Sequence, residues 1–128
     1  MTVERPSPTA TEAAVCTPLM AALPQQVLDQ DRRTVEFPDL TAAWGKPVIT
    51  LRCGVPKPAA LGAASQCFEV NGVGWFAEEA EGGYLFTTIG RAAYVELGVP
   101  NAYAPEATAL VDVAAAVTAH DRLLKPCA

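Results

Sequence analysis

The sequence predicts an α+β domain. A mainly antiparallel sheet, a three-stranded meander plus one or two further strands, packs with one long C-terminal helix and a short N-terminal helix, and two disulfides hold it. Three observations lead there. VGWFAEEAEGGYLFTTIGRAAYVELGVP (73–100) alternates apolar and polar residues around two glycine turns, as consecutive hairpins do. APEATALVDVAAAVTAHDRLL (104–124) repeats its apolar residues at helical spacing. Four cysteines are present with no CxxC pair among them, which suits staples better than metal ligands.

The elements follow in order. Residues 1–15 are polar and rich in Pro, Thr and Ala, too poor in large apolar groups to order themselves, so a disordered tether is expected before a single domain over 16–128. Thr17-Pro18 pairs a capping hydroxyl with a proline at the first helical position, opening a short helix that runs through LMAAL to Pro24, with QQVLD adding a turn. TVEF (34–37) reads as a short strand, DLTAAWG as a connector with Trp44 buried, and PVITLRC (47–53) as a strand. After the stretch from Cys53 to Cys67, FEV leads through the turn Asn71-Gly72 into the meander.

Turn chemistry sets the meander's register. Glu79 opposite Tyr84 places Ala77 opposite Phe86 and Trp75 opposite Thr88. A two-residue Gly90-Arg91 turn pairs Ile89 with Ala92 and places Phe86 opposite Val95. Because side chains alternate faces, Val73, Trp75, Ala77, Tyr84, Phe86, Ala93, Val95 and Leu97 form a core face. The other face carries Phe76, Thr87 and Tyr94 in one cross-strand row, with Glu78, Leu85 and Glu96 in the next. The C-terminal helix lies across the core face by a stripe at Leu110, Val113, Ala114, Val117 and Leu124, with His120 at its edge.

Composition excludes some functions. A net charge of -5 leaves no basic stripe with which to displace phosphate counterions or to dock on an anionic bilayer, so neither nucleic acid nor a charged membrane surface is expected as a partner. No run of about 20 apolar residues is present, and the first residues lack the apolar core of a signal peptide. Cys16, Cys53, Cys67 and Cys127 allow three pairings. The economical one is Cys53–Cys67, closing a loop of 15 residues, with Cys16–Cys127 tying the first ordered segment to the C-terminus. In the chain-entropy model such bridges contribute about 3 and about 4.7 kcal/mol. Two disulfides lead to the expectation of a domain outside the cytosol, membrane-anchored or secreted, with its anchor or signal upstream of these residues.

Reactive groups are sparse. Ser7 and Ser65 are the only serines and His120 the only histidine, and no nucleophile-elbow motif joins them. Neither a metal nor a cofactor is expected. Glu78, Glu79 and Glu81 suit a solvated hairpin end that keeps the sheet from pairing with others. Glu78 and Glu96 could flank a sugar as paired carboxylates, an arrangement that strand alternation also produces by chance. Arg52 reads as a strand-end charge and Arg91 as a turn-tip charge exposed enough to meet a partner. The row Phe76, Thr87 and Tyr94, framed by Glu78 and Glu96, is the candidate binding face unless a helix or the N-terminal segment covers it.

AAWGKPVITLRCG, NGVGW, FTTIGRAAYVELGVP and a C-terminal cysteine occur in an order that resembles the small actinobacterial envelope proteins designated domain of unknown function 3515. The likeness runs from about Cys16 to Cys127. It implies an extracytoplasmic domain held by an N-terminal membrane segment, and brings no activity and no catalytic residues. The expected function is therefore non-enzymatic: a disulfide-stapled envelope domain acting through contacts with an envelope protein partner. The alternative is a small-ligand or envelope-glycan binder, or a weak hydrolase using Glu78 or Glu96.

Overall fold

A computed structural model describes residues 2–62 and 65–126. Its helix α1 (Ala10–Ala21) starts seven residues before the expected Thr17. The signal was TATE: Thr9 accepts from the Glu12 amide at 3.2 Å, and the Glu12 carboxylate accepts from the Thr9 amide at 2.9 Å. Residues 10–15, expected in a disordered tether, are thus the first turns of α1. Ahead of them Thr2 bonds Glu36, Arg5 bonds Asp39 and Val3 is buried. Pro18 sits inside the helix. Cys16, Leu19, Met20 and Leu23 repeat at i, i+3, i+4 and i+7, and all four are buried.

The sheet has more strands than the sequence suggested. β1 (Gln26–Val27) and β2 (Gln30–Arg33) form a hairpin, so QQVLD is not helical, and the strand expected at 34–37 lies instead at 30–33. Leu28 and Asp29 turn it with φ of 51° and 62°; the Leu28 amide donates to Asp112 at 2.8 Å, tying the hairpin to the C-terminal helix. β3 (Thr41–Trp44) replaces the expected connector. Trp44 is buried, its indole donating to the Pro24 carbonyl at 3.0 Å beneath the Arg32 guanidinium.

β4 (Ile49–Val55), β5 (Phe68–Val70), β6 (Val73–Ala80), β7 (Gly83–Thr88) and β8 (Tyr94–Pro100) complete an antiparallel sheet of eight strands in the order β1-β2-β3-β4-β8-β7-β6-β5. The β6–β7 register is the expected one, with Glu79 opposite Tyr84 and Trp75 opposite Thr88. β8 is slid by two residues, so Phe86 faces Leu97 rather than Val95. Gly90-Arg91 is not a two-residue turn. The Gly90 carbonyl accepts from the Leu124 and Lys125 amides, the Ala92 amide donates to Arg122, and β8 starts only at Tyr94. A two-residue slide preserves the faces while changing the neighbours.

The C-terminal helix α2 (Leu110–His120) follows a 3-10 turn at Glu106–Ala109 and is shorter than 104–124. Leu110, Val113, Ala114 and Val117 are buried as expected; Leu124 lies beyond the helix and His120 is exposed, so neither belongs to the apolar stripe. Both helices lie on the face that carries Leu51, Cys53, Trp75, Phe86, Val95 and Leu97, and the core sits between.

Cys16 bonds Cys53, with Cα atoms 5.8 Å apart, which replaces both expected pairings. The reason is sheet order. Cys67 adjoins β5, four strand spacings from β4, or roughly 19 Å at 4.8 Å per spacing, far beyond the reach of a disulfide. Cys53 instead faces the buried side of α1. Among the described residues this is the disulfide the structure shows; Cys127, invoked in the other expected pairing, lies outside them.

Candidate functional site

Strand alternation gives the sheet an outer face opposite the helices. Across its centre the registers align Arg52 on β4, Glu96 on β8, Thr87 on β7 and Phe76 on β6 in one row. The next row holds Thr50, Gly98, Leu85 and Glu78. The slide of β8 therefore puts Glu96, not Tyr94, beside Thr87, and Gly98, not Glu96, beside Leu85. Tyr94 moves to the rim, opposite Val55 at a bulge in β4. Phe76, Glu78, Leu85 and Tyr94 are half-buried, and Thr87 is buried as the floor.

Arg52 organises the charge. Its Nε and a terminal nitrogen donate to the two oxygens of Glu96 at 2.9 and 3.1 Å, a bidentate fork, and its other terminal nitrogen donates to Glu4 at 3.0 Å. The hydrogen bonds that Arg52 donates to Glu96 are the chief cause of its raised pKa, against the opposing effect of burial. Glu4 brings the N-terminal segment to the β4 end of the row, so the expected covering of this face by that segment is realised only there.

From β4 the chain must cross β8, β7 and β6 to reach β5. The end of β4 at Val55 and the start of this connection, Pro56-Lys57-Pro58-Ala59, wall a shallow cavity of about 290 Å³ with Arg52, Glu78, Thr87 and Glu96. Proline fixes φ at two of these four connecting positions, which stiffens the rim. A second hollow of about 270 Å³ continues down the same face over Thr50, Leu85 and Gly98 to the β6–β7 turn.

The structure thus brings Phe76, Thr87, Glu78 and Glu96 together, sets Tyr94 at the margin and removes Arg91. Arg91 is 9% exposed; it donates to the carbonyls of Asp121 at 2.8 Å and Gly72 at 3.0 Å, so it is an internal strut and not a turn-tip charge. Arg52 and Lys57 were missed as site residues. Alternation along PVITLRC places Arg52 on the same face as Thr50, a signal hidden by reading Arg52 as a strand end. Glu78 and Glu96 share the cavity, but both Glu96 oxygens are taken by Arg52, so the two do not form a free acid–base pair. Among the described residues no group of His, Cys, Asp and Glu could hold a metal ion, and no helix is long and apolar enough to cross a membrane.

The family model described as "Protein of unknown function (DUF3515)" matches residues 1–123, and the chain belongs to that family. No curated protein and no solved structure matches it.

Proposed function

We propose that this family member is a non-enzymatic domain of the cell envelope, extracytoplasmic and either membrane-anchored or secreted, that works by holding a partner protein against the outer face of β6, β7 and β8. One observation carries the reading. Both helices lie on the inner face, so the row Phe76–Thr87–Glu96 and its cavity have no helix over them. An aromatic side chain beside fixed charges and a proline-stiffened rim is a composition that suits protein recognition. The buried Cys16–Cys53 bridge is compatible with an oxidising compartment.

The cavity also supports binding of a small polar ligand or glycan, whose hydroxyls Glu78 and Lys57 could bond. The hydrolase form of that alternative is the weaker one, since Glu96 is already held by Arg52.

A photo-crosslinking residue at Phe76 and, separately, at Thr118 on the exposed side of α2 tests the face. We expect a discrete protein adduct in cells from position 76 alone. Capture only from 118, or from neither position, would overturn the assignment.

A further inference from the structure

On the inner face the sheet outruns its helices. α2 begins at Leu110, and beyond the 3-10 turn that precedes it the ends of β6 and β7 are left open: Ala77, on the same face as Phe86, is exposed. The opening is a cavity of about 280 Å³ between Phe68, Tyr84 and Phe86 on the sheet and Pro105 and Glu106 on the approach to α2. Its rings are ordered. Tyr84 stacks on Phe86 at 5.8 Å between centroids, and Phe68 meets Phe86 edge-on at 6.2 Å.

Two carboxylates border these rings. Glu79 accepts from the Tyr84 hydroxyl at 3.4 Å, and Glu106 stands in the opposite wall. Their charges, Glu79 first, raise the Tyr84 pKa. Among the described residues neither has a salt-bridge partner; the cations that form salt bridges, Arg5 and Arg52, are used elsewhere. The cavity holds about one side chain and is too small for most cofactors. An anion would be repelled, and a neutral apolar group would leave the carboxylates unneutralised. A lysine ammonium is strongly hydrated and does not stack; a guanidinium is flat, weakly hydrated, stacks on aromatic rings and pairs with carboxylates.

We propose that this cavity receives an arginine side chain from a partner polypeptide, its guanidinium lying among Phe68, Tyr84 and Phe86 and paired with Glu79 and Glu106. The site is on the opposite side of the sheet from the row Phe76–Thr87–Glu96 and stands independently of it.

The test is an amide NMR titration of the whole chain with the probe acetyl-Gly-Arg-Gly-amide, and with its citrulline counterpart, which keeps the shape and loses the charge. We expect saturable shifts at Phe68, Ala77, Tyr84 and Ala107 with the arginine peptide, and affinity about tenfold lower with citrulline. Glu106→Gln and Glu79→Gln should each weaken arginine binding about threefold and leave citrulline binding as it was. Phe76→Ser should change neither. Absence of saturable shifts at these residues, equal affinity for the two peptides, or indifference to both glutamine variants would each overturn the proposal.

Discussion

The two faces of the sheet handle polar groups in opposite ways. On the inner face the bridge Cys16–Cys53 is fully buried, Trp75 and Leu97 are closed over, Asp121 just past α2 is sealed from water, and Arg91 in the β7–β8 connection is buried against it. Asp121 accepts from the Ala93 amide at 3.0 Å, and its other oxygen has no hydrogen-bond partner among the described residues. On the outer face the charged groups stay in reach of solvent and pair with each other, Arg52 with Glu96 and Glu4. Stability is concentrated where the helices close over the inner face, and the solvent-facing charge pairs lie on the other side. Perturbing the part of the inner face closed under the helices should therefore unfold the chain, whereas perturbing the outer face should chiefly alter what it binds.

The largest expected effect is on the staple. Cys16 and Cys53 are 37 residues apart, for which loop closure contributes about 4 kcal/mol. The double variant Cys16→Ser, Cys53→Ser should lose about that much by urea unfolding, a large part of a domain's usual stability. A loss below about 1 kcal/mol would show that packing alone holds the inner face. Combined tryptic and chymotryptic digestion without reductant checks the pairing directly: cleavage after Leu61 separates Cys53 from Cys67, and the Cys16 peptide should stay with the former.

Asp121 comes next. Burial raises its pKa from 3.8 to about 6, against the opposing pull of the Ala93 and Ala92 amides and of Arg91. Between those values the native state holds a proton that the unfolded chain has released. The stabilising contribution is thus complete below about pH 4 and lost as pH rises through about 6, amounting to about 3 kcal/mol. Asp121→Asn retains an acceptor for the Ala93 amide and cannot titrate. Relative to that variant, the wild-type chain should lose stability from about pH 4 to about pH 7; parallel profiles would mean that the carboxylate is charged at no expense.

Face assignment was legible in the sequence because it needs only the parity of a strand. Trp75, Phe86, Val95 and Leu97 are all on the side expected, and the β6–β7 hairpin was readable from its glycines. What could not be read depended on segments remote in sequence. The two-residue slide of β8 follows from the C-terminal stretch 122–125 bonding into the β7–β8 connection, and the disulfide follows from sheet order, which puts three strands between Cys53 and Cys67's neighbour β5. Local loop length favoured Cys67. Helix α1 is a different case: its capping box was present in TATE and was outweighed by composition. For the site, parity found Phe76, Glu78, Thr87 and Glu96, while Arg91 misled because an arginine after glycine looks like a turn tip until something distant offers it carbonyls.

On the outer face a smaller effect is expected. Glu96→Gln removes the bidentate partner of a guanidinium whose side chain is 21% exposed, and should lower stability by about 1.5 kcal/mol. Glu4, 85% exposed, contacts the same arginine; Glu4→Gln should change stability by less than about 0.5 kcal/mol. A double-mutant cycle over Arg52 and Glu96 isolates the pair. Equal losses at Glu4 and Glu96 would mean that exposure does not grade the strength of these pairs, and the contrast between open and closed polar groups would need revising.

The smallest effect on stability and the largest on binding should coincide at Phe76. It is half-buried, and its cross-strand neighbour Thr87 is aligned by β-ladder hydrogen bonds that do not involve the ring. Phe76→Ser removes one cross-strand side-chain contact, about 0.5 kcal/mol. With the crosslinker moved to Glu78, the same substitution should abolish partner capture while the urea midpoint hardly moves. Capture that survives would place recognition elsewhere on the domain. A loss of stability above about 2 kcal/mol would show that the ring is a core residue by function, for which burial and not recognition explains its presence.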